Sequence, residues 1–295
     1  MSDPDIGAFR TKLASRPVIT DIGERRKTMD ARGLAYGLAA DVSVEKVSAN
    51  GVAAEWTSTP GAARDAAILY GHGGGYVIGS LDSHRHMVAE LGRAANCVAL
   101  ALDYRLAPEH PFPAPVEDTV AAYRFLLAQG FKPERIAIAG DSAGGGLVVA
   151  AMVAIREAGL AQPGGGWCLS PWIDMEALGE SMESRAAADP MVQKPGILDM
   201  ARTYLGGADP RSPLAAPLYA DLAGIAPLLI QVGAAETLLD DAIRLAQRAG
   251  AADVRVDLQV WPEMVHVWPL FWPELTAGKR ALDEAGAWIK AALGT

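Results

Sequence analysis

From about Ala66 onward, short apolar runs alternate with longer stretches in which apolar residues return at helical spacing. "AAILYGHGGG" reads as a buried strand ending in a glycine loop, and "CVALALDYR", "RIAIAGDS", "GGGWCLSPW", "PLLIQVGAAE" and "VRVDLQVWPE" as further strands. Between them, "HRHMVAELGRAA", "VEDTVAAYRFLLAQG", "AGGGLVVAAMVAIREAG" and "LDDAIRLAQRAG" carry the helical period, and "ELTAGKRALDEAGAWIKAAL" closes the chain as an amphipathic helix. Strands apolar at nearly every position must be covered on both faces. The pattern therefore predicts an α/β fold: a mostly parallel central sheet with helices on both sides. Upstream, "VSVEKVSA" and "VAAEWTSTPG" meet at Asn50-Gly51 and read as an antiparallel edge hairpin.

Two segments break this rhythm. Residues 1–40 read as helical and carry several Arg and Lys. Residues 174–213 separate two strands by more than an ordinary connection needs, with "ESMESRAAAD" and "GILDMARTYLGG" reading as helices. Long insertions of this kind are usually lids. The expected organisation is an N-terminal part of a helical cap (1–40), a first core part (41–173), a cap insertion (174–213) and a second core part (214–295). Met175, Met182, Met191 and Met200 lie in or beside the insertion, where they suit either an adaptable apolar pocket or packing between lid and body.

Composition narrows the picture. A chain 51% hydrophobic can bury a core, and a net charge of -9 argues against nucleic acid or an anionic membrane as partner. No apolar run reaches the ~18 residues of a membrane span. The first residues lack the basic-then-apolar start of a secretory signal, so a cytoplasmic location is expected. Cys97 and Cys168 stand apart in apolar runs and read as buried structural thiols, with neither a disulfide framework nor metal spacing.

The chemistry concentrates in "GDSAG", Gly140 to Gly144, a G-x-S-x-G elbow between a strand and a helix rich in small residues. Such a turn strains its central residue, and a Cβ two positions to either side would clash. The turn also lifts Ser142 beside the free N–H groups of a helix start. "GHGGGY", Gly71 to Tyr76, follows another strand and is the type of glycine loop that pairs with such an elbow to hold an oxyanion. It lacks the GK[ST] of a phosphate loop and the spacing of a dinucleotide site.

A serine hydroxyl needs a base. The chain has five histidines, and in hydrolases with this elbow the order is Ser, acid, His; only His266 follows Ser142. His72 is expected to orient the glycine loop, and His84 and His86 to lie on a helix at the surface or in packing. The acid should fall in "VGAAETLLDD". Glu236 comes first, where the chain leaves its strand, whereas Asp240 and Asp241 fall where helix-start carboxylates commonly cap. Glu236 is preferred, with Asp240 still open.

With these residues assembled, the chain resembles the bacterial hormone-sensitive-lipase-like esterases of the α/β-hydrolase fold, in the GDSAG-type subgroup. The likeness rests on "HGGGY", "DYRLAPEHPFPAPVED", "GDSAGGGL", "SPLAAPL", "ETLLDD" and "MVHVW" in that order. It implies a triad of Ser142, Glu236 and His266, although the family more often carries Asp where this chain has Glu236. It also implies oxyanion donors from the backbone of Gly74, Gly75 and Ala143, and a supporting role for "DYRLAPE", with Asp103, Arg105 and Glu109 in buried polar contacts.

The expected function is hydrolysis of short- to medium-chain carboxylic esters through an acyl-enzyme, with no cofactor and no metal. The partner would be a small-molecule ester, and a homodimer could form through the last edge strand. The alternatives are a weakly catalytic small-molecule binding protein of the same fold, or an amidase or thioesterase using the same groups.

Overall fold

The computed structural model describes residues 3–295; residues 1 and 2, the start of the expected N-terminal cap segment, lie outside the described residues. The expected sheet is present. It has eight strands: β1 (Ser43–Ala49), β2 (Val52–Ser58), β3 (Ala63–Gly71), β4 (Cys97–Leu102), β5 (Ile136–Asp141), β6 (Gly165–Leu169), β7 (Leu228–Gly233) and β8 (Val256–Trp261). Their order is β1-β2-β4-β3-β5-β6-β7-β8. β1 and β2 form the antiparallel hairpin, β2 pairs antiparallel with β4, and every pairing from β4 to β8 is parallel.

The two-residue period of the strands divides the core. Ala67 and Leu69 of β3, Ile136 and Ile138 of β5 and Leu228, Ile230 and Val232 of β7 enter one apolar cluster. They meet α4 (Ala114–Ala128), α5 (Ala143–Glu157) and α8 (Leu239–Ala251) there. Ile68 and Tyr70, Ala137 and Ala139, and Leu229 point the other way, into a second cluster with α3 (Leu81–Ala95) and α9 (Thr276–Leu293). Apolar runs without strand alternation therefore mark a sheet with both faces buried. Only β1 and β8, at the edges, keep a largely open face.

Two further helices precede the sheet. α1 (Ile6–Ala14) turns Ile6, Phe9 and Leu13 into the second cluster. The buried Asp3 carboxylate accepts from the Ala277 N–H at 2.7 Å and the Thr276 hydroxyl at 2.8 Å, tying the chain start to the first turn of α9. α2 (Ile22–Tyr36) is capped by Asp21, whose side chain accepts from the Glu24 N–H at 2.9 Å. It buries only Gly33, so it lies as a cover rather than as a core helix.

The insertion differs from expectation in part. α7 (Lys194–Leu205) matches its helical pattern, but the segment around "ESMESRAAAD" keeps only the single turn α6 (Ser181–Ser184). Side chains take the carbonyls at the end of that segment: Gln193 donates to those of Ala186 and Asp189, and Arg10 to that of Ala188. Asp189 Oδ1 accepts from the N–H of Met191 and Val192, and its Oδ2 from that of Thr237, so it pins the irregular chain to the core. Among the described residues no helix is long and apolar enough to cross a membrane.

α3 packs closely on α9 where Gly286 lies on Ala94; a Cβ there would come within 2.6 Å of the Ala94 carbonyl carbon and collide with its methyl group. Gly286→Ala is expected to cost about 1–3 kcal/mol through overpacking, read as a lower urea midpoint at unchanged slope.

Candidate active site

β5 runs apolar to Gly140 and ends at Asp141, and α5 starts at Ala143. The single residue between them, Ser142, sits at φ 55° and ψ -120°, outside the ordinary regions for an L-residue. Tertiary hydrogen bonds hold it there. Its N–H donates to the Leu169 carbonyl at 2.8 Å, and its own carbonyl accepts from Trp172 and Gly146 at 2.9 and 3.1 Å. The turn closes because Gly144 has no side chain: a Cβ would strike the Gly71 carbonyl oxygen and come within 2.8 Å of that of His72. The elbow therefore rests directly on the start of the HGGG loop.

That loop is fixed from beneath. Asp141, fully buried beside the serine, accepts through Oδ1 from the Tyr70 hydroxyl at 2.6 Å and from the Gly73 N–H at 3.0 Å. His72 contacts the Gly73 carbonyl through Nδ1 at 2.8 Å and stacks on Tyr104, whose hydroxyl donates to the His72 carbonyl at 2.7 Å. Gly74 and Gly75 follow at φ 113° and 64° and border the cavity over Ser142. Their N–H groups donate to no protein acceptor among the described residues. Ala143, the first residue of α5, supplies a third N–H next to the serine, of the kind every helix start leaves unpaired.

His266 stands on the loop after β8, and its Nε2 is 2.9 Å from Ser142 Oγ. Its Nδ1 is 2.7 Å from Glu236 Oε2. The other carboxylate oxygen of Glu236 accepts from the Ser170 hydroxyl at 2.8 Å and from the Gly233 N–H. Ser170 in turn accepts from the Val267 N–H at 3.2 Å, so it links the acid to the histidine's own loop.

The electrostatics follow from burial and pairing. Burial is the strongest influence on His266 and lowers its pKa, but the hydrogen bond and charge of Glu236 outweigh it and leave the imidazole above its ordinary 6.5. Burial is also strongest for Glu236 and raises its pKa against the pull of His266. His72, buried and beside His84, is pushed down to about 3 and is neutral. Burial lifts the Cys97 thiol to about 12, and Cys168 is raised as well; neither is an available nucleophile.

A cavity of about 480 Å³ opens above Ser142 and His266. Its walls come from the segment spanning α1 and α2, from the insertion through Met191, Ile197 and Met200, and from Leu270 and Phe271. A separate depression of about 550 Å³ on the insertion, lined by Met175, Leu198 and Leu205, does not reach the serine. Both expectations for the methionines therefore apply: Met191 and Met200 line the cavity, whereas Met175 and Met182 are buried in packing.

The structure thus brings Ser142, His266 and Glu236 into one hydrogen-bonded line, with Gly74, Gly75 and Ala143 around the serine. Asp240 and Asp241 lie elsewhere. Asp240 accepts from the Ser181 N–H at 2.8 Å, and Asp241 from those of Ile173 and Asp174 at 2.9 and 3.1 Å, so both anchor the insertion. Burial, the largest influence, pushes Asp241 up to about 7.

Of the two positions expected for His84 and His86, surface or packing, the structure shows packing, and one further expectation is corrected. His84 Nε2 lies 3.4 Å from Asp141, and His86 Nε2 contacts the Leu270 carbonyl at 2.8 Å. Asp103, Arg105 and Glu109 are exposed rather than buried: Arg105 pairs with Asp118 and Glu117, and Glu109 with Arg26 of α2. A loop of charged residues between apolar elements has water as its alternative partner, and here it braces the cover.

Sequence reasoning missed Asp141, Ser170 and Asp189. Asp141 had a readable signal, an acid inside the elbow where burial is certain. The other two depend on contacts between residues far apart in the chain.

A family model described as alpha/beta hydrolase fold matches residues 68–270. An acetyl-hydrolase of Streptomyces hygroscopicus is 46% identical over 274 residues, covering 93% of this chain and 91% of the relative. Carboxylesterase NlhH of Mycobacterium tuberculosis is 33% identical over 243 residues, 77% of this chain and 73% of the relative. Among solved structures, an esterase of the bacterial hormone-sensitive lipase family superposes with a TM-score of 0.96 at 52% identity, covering 100% of both chains.

A neutral imidazole next to Ser142 can accept the hydroxyl proton, whereas a protonated one cannot. Labelling of Ser142 by a sulfonyl fluoride, followed by mass spectrometry, should therefore slow as pH falls, with a midpoint above 6.5. In Glu236→Gln the carboxylate that raises the imidazole is gone. The midpoint should drop, and labelling should slow by roughly 10³–10⁴-fold.

Proposed function

The chain belongs to the α/β-hydrolase fold family, among the bacterial hormone-sensitive-lipase-type esterases, and from that premise we propose that it is a serine carboxylesterase acting on short- to medium-chain esters through an acyl-enzyme. The observation that carries this reading is the unbroken line from Ser142 Oγ through His266 to Glu236, at 2.9 and 2.7 Å, beside the N–H groups of Gly74 and Gly75, which have no partner among the described residues. The names of the two relatives, an acetyl-hydrolase and a carboxylesterase, support an acyl ester as substrate. A cavity of about 480 Å³ with mostly apolar walls suits an acyl chain of modest length.

In the reaction, His266 Nε2 takes the Ser142 proton as Oγ attacks the ester carbonyl. The carbonyl oxygen becomes an anion and meets the N–H groups of Gly74, Gly75 and Ala143, which are oriented before the substrate arrives. Each such donor is worth roughly a hundredfold or more in rate. Glu236 holds the imidazole with Nδ1–H toward itself and stabilises the imidazolium. His266 then gives its proton to the leaving alcohol, and water enters by the same route in reverse to release the acid.

The reading includes a cytoplasmic location, which two cysteines without a disulfide suit. It also includes a homodimer joined along β8, whose open edge exposes Leu258 and Val260. Light scattering on the purified protein should give the dimer mass, and Val260→Lys should give the monomer.

Ser142→Ala should lower hydrolysis of p-nitrophenyl butyrate by roughly ten-thousandfold or more, with the circular dichroism spectrum unchanged. Turnover near the wild-type rate in that variant would remove the assignment. Hydrolysis of the matching thioester or anilide in preference to the ester would move it to a thioesterase or amidase.

A further inference from the structure

The chain has 35 acidic and 26 basic side chains, yet seven of the basic ones fall within residues 1–36. Four of the seven hold an acid or a backbone carbonyl. Arg10 donates to the Ala188 carbonyl, Lys12 pairs with Glu274, Arg26 with Glu109 and Lys27 with Glu24. The other three, Arg16, Arg25 and Arg32, all line the cavity over Ser142 and His266.

Among the described residues none of these three reaches a carboxylate at ion-pair distance. The nearest acids are already occupied. Glu274 is held by Lys12 and by the Tyr36 hydroxyl, and Asp199 by Arg202. Asp141, the acid in the cavity wall, is spent on Tyr70 and Gly73. Arg16 and Arg25 are half-buried, and burial is the main force lowering both pKa values; for Arg16 the charge of Arg32 adds to it. Arg16 and Arg32 repel one another, and the carboxylates that act on Arg16 and Arg25, Glu274 and Asp199, stay beyond ion-pair distance, so an arriving anion would gain direct contacts that these guanidiniums now lack.

Their placement flanks the reacting centre. Arg25 lies 4.0 Å from the Met200 sulfur, which itself packs on Gly75 of the glycine loop. Arg16 stands 5.8 Å from the ring centre of Phe271, on the stretch that follows His266. Arg32 precedes Gly33, where α2 touches the backbone of Ser83 at the start of α3, so its position is set by helix packing.

We infer that the cavity is shaped for an ester that also bears a carboxylate or similar anionic group, bound by Arg16, Arg25 and Arg32 while the ester carbonyl lies at Ser142. This rests on the esterase reading. A planar guanidinium can take a carboxylate through two parallel hydrogen bonds, and three of them around one mouth tolerate more than one position of the charge.

The test compares kcat/KM for two matched pairs: mono-p-nitrophenyl adipate against p-nitrophenyl hexanoate, and 4-acetoxybenzoate against its methyl ester. The first pair puts the charge on the acyl side and the second on the alcohol side. In at least one pair the anionic member should be preferred by roughly tenfold, the worth of a single charge-assisted contact. Arg16→Gln, Arg25→Gln and Arg32→Gln, singly and together, should lower that anionic-to-neutral ratio, the triple variant abolishing the preference. Arg→Lys at the same positions should restore part of it, and added salt should reduce it in the wild type. Equal rates within both pairs, or a ratio unmoved in the triple variant, would overturn the inference while leaving neutral-ester hydrolysis intact. Failure to hydrolyse any of the four esters would instead remove the esterase reading on which it stands.

Discussion

The site depends on one close approach, that of Gly144 to the carbonyls of Gly71 and His72. It lets α5 begin directly against the end of β3, so the strained Ser142 and the glycine loop are parts of one packed unit. Asp141 completes that unit from below by accepting the Gly73 N–H. A strained residue persists only where its surroundings over-determine it. Here the backbone bonds to Leu169, Trp172 and Gly146 and the Asp141 contact do so together. Preorganisation of this kind is what electrostatic stabilisation of an oxyanion requires, because dipoles that must turn during the reaction return part of what they supply.

The layered sheet was readable because its evidence is local: apolar strands, helical periods and glycine stops all lie within short windows. Ser142 and His266 were readable for a different reason, since the elbow has a sequence signature and the order of the groups left one histidine. The acid was a matter of degree. Glu236 and Asp240 lie four residues apart on the same connection, and only packing shows that Asp240 faces Ser181 while Glu236 faces His266. What stayed hidden depends on long-range contact. The buried position of His84 beside Asp141 is one case, and the use of Asp189 to join the insertion to Thr237 is another. The helix expected over "ESMESRAAAD" keeps only the turn α6, and the carbonyls of Ala186, Ala188 and Asp189 at its far end accept from the Gln193 and Arg10 side chains instead.

The N-terminal segment and the sheet core differ in charge as well as in position. The core carries the groups proposed to react, and these are nearly all backbone amides or neutral side chains. The N-terminal segment brings guanidiniums into a molecule of net charge -9. An acidic surface repels anions at long range, so local positive charge at the cavity mouth has more effect on which molecules enter than the same charge would have on a basic protein. The cover is also fastened through charge: Arg26 reaches Glu109 and donates to the carbonyls of Val77 and Ala107, which follow and support the glycine loop. A shift of α2 would therefore move both the selecting arginines and the backbone near Gly74 and Gly75.

The choice of Glu at position 236 fits the same economy of space. Gly233 at the end of β7 abuts the backbone before His266: a Cβ there would strike the Met264 carbonyl and lie 3.0 Å from Glu236 Oε1. The chain leaves the strand so tightly that the acid's backbone is set a few residues further on. The added methylene of Glu lets the carboxylate fold back to its own strand end. One oxygen then takes the Gly233 N–H and the Ser170 hydroxyl, and the other is left for the imidazole. A buried carboxylate that loses a donor holds its charge less well. The length of this side chain is thus matched to the tightness of the turn, and Gly233 and Ser170 together leave the other oxygen to the histidine.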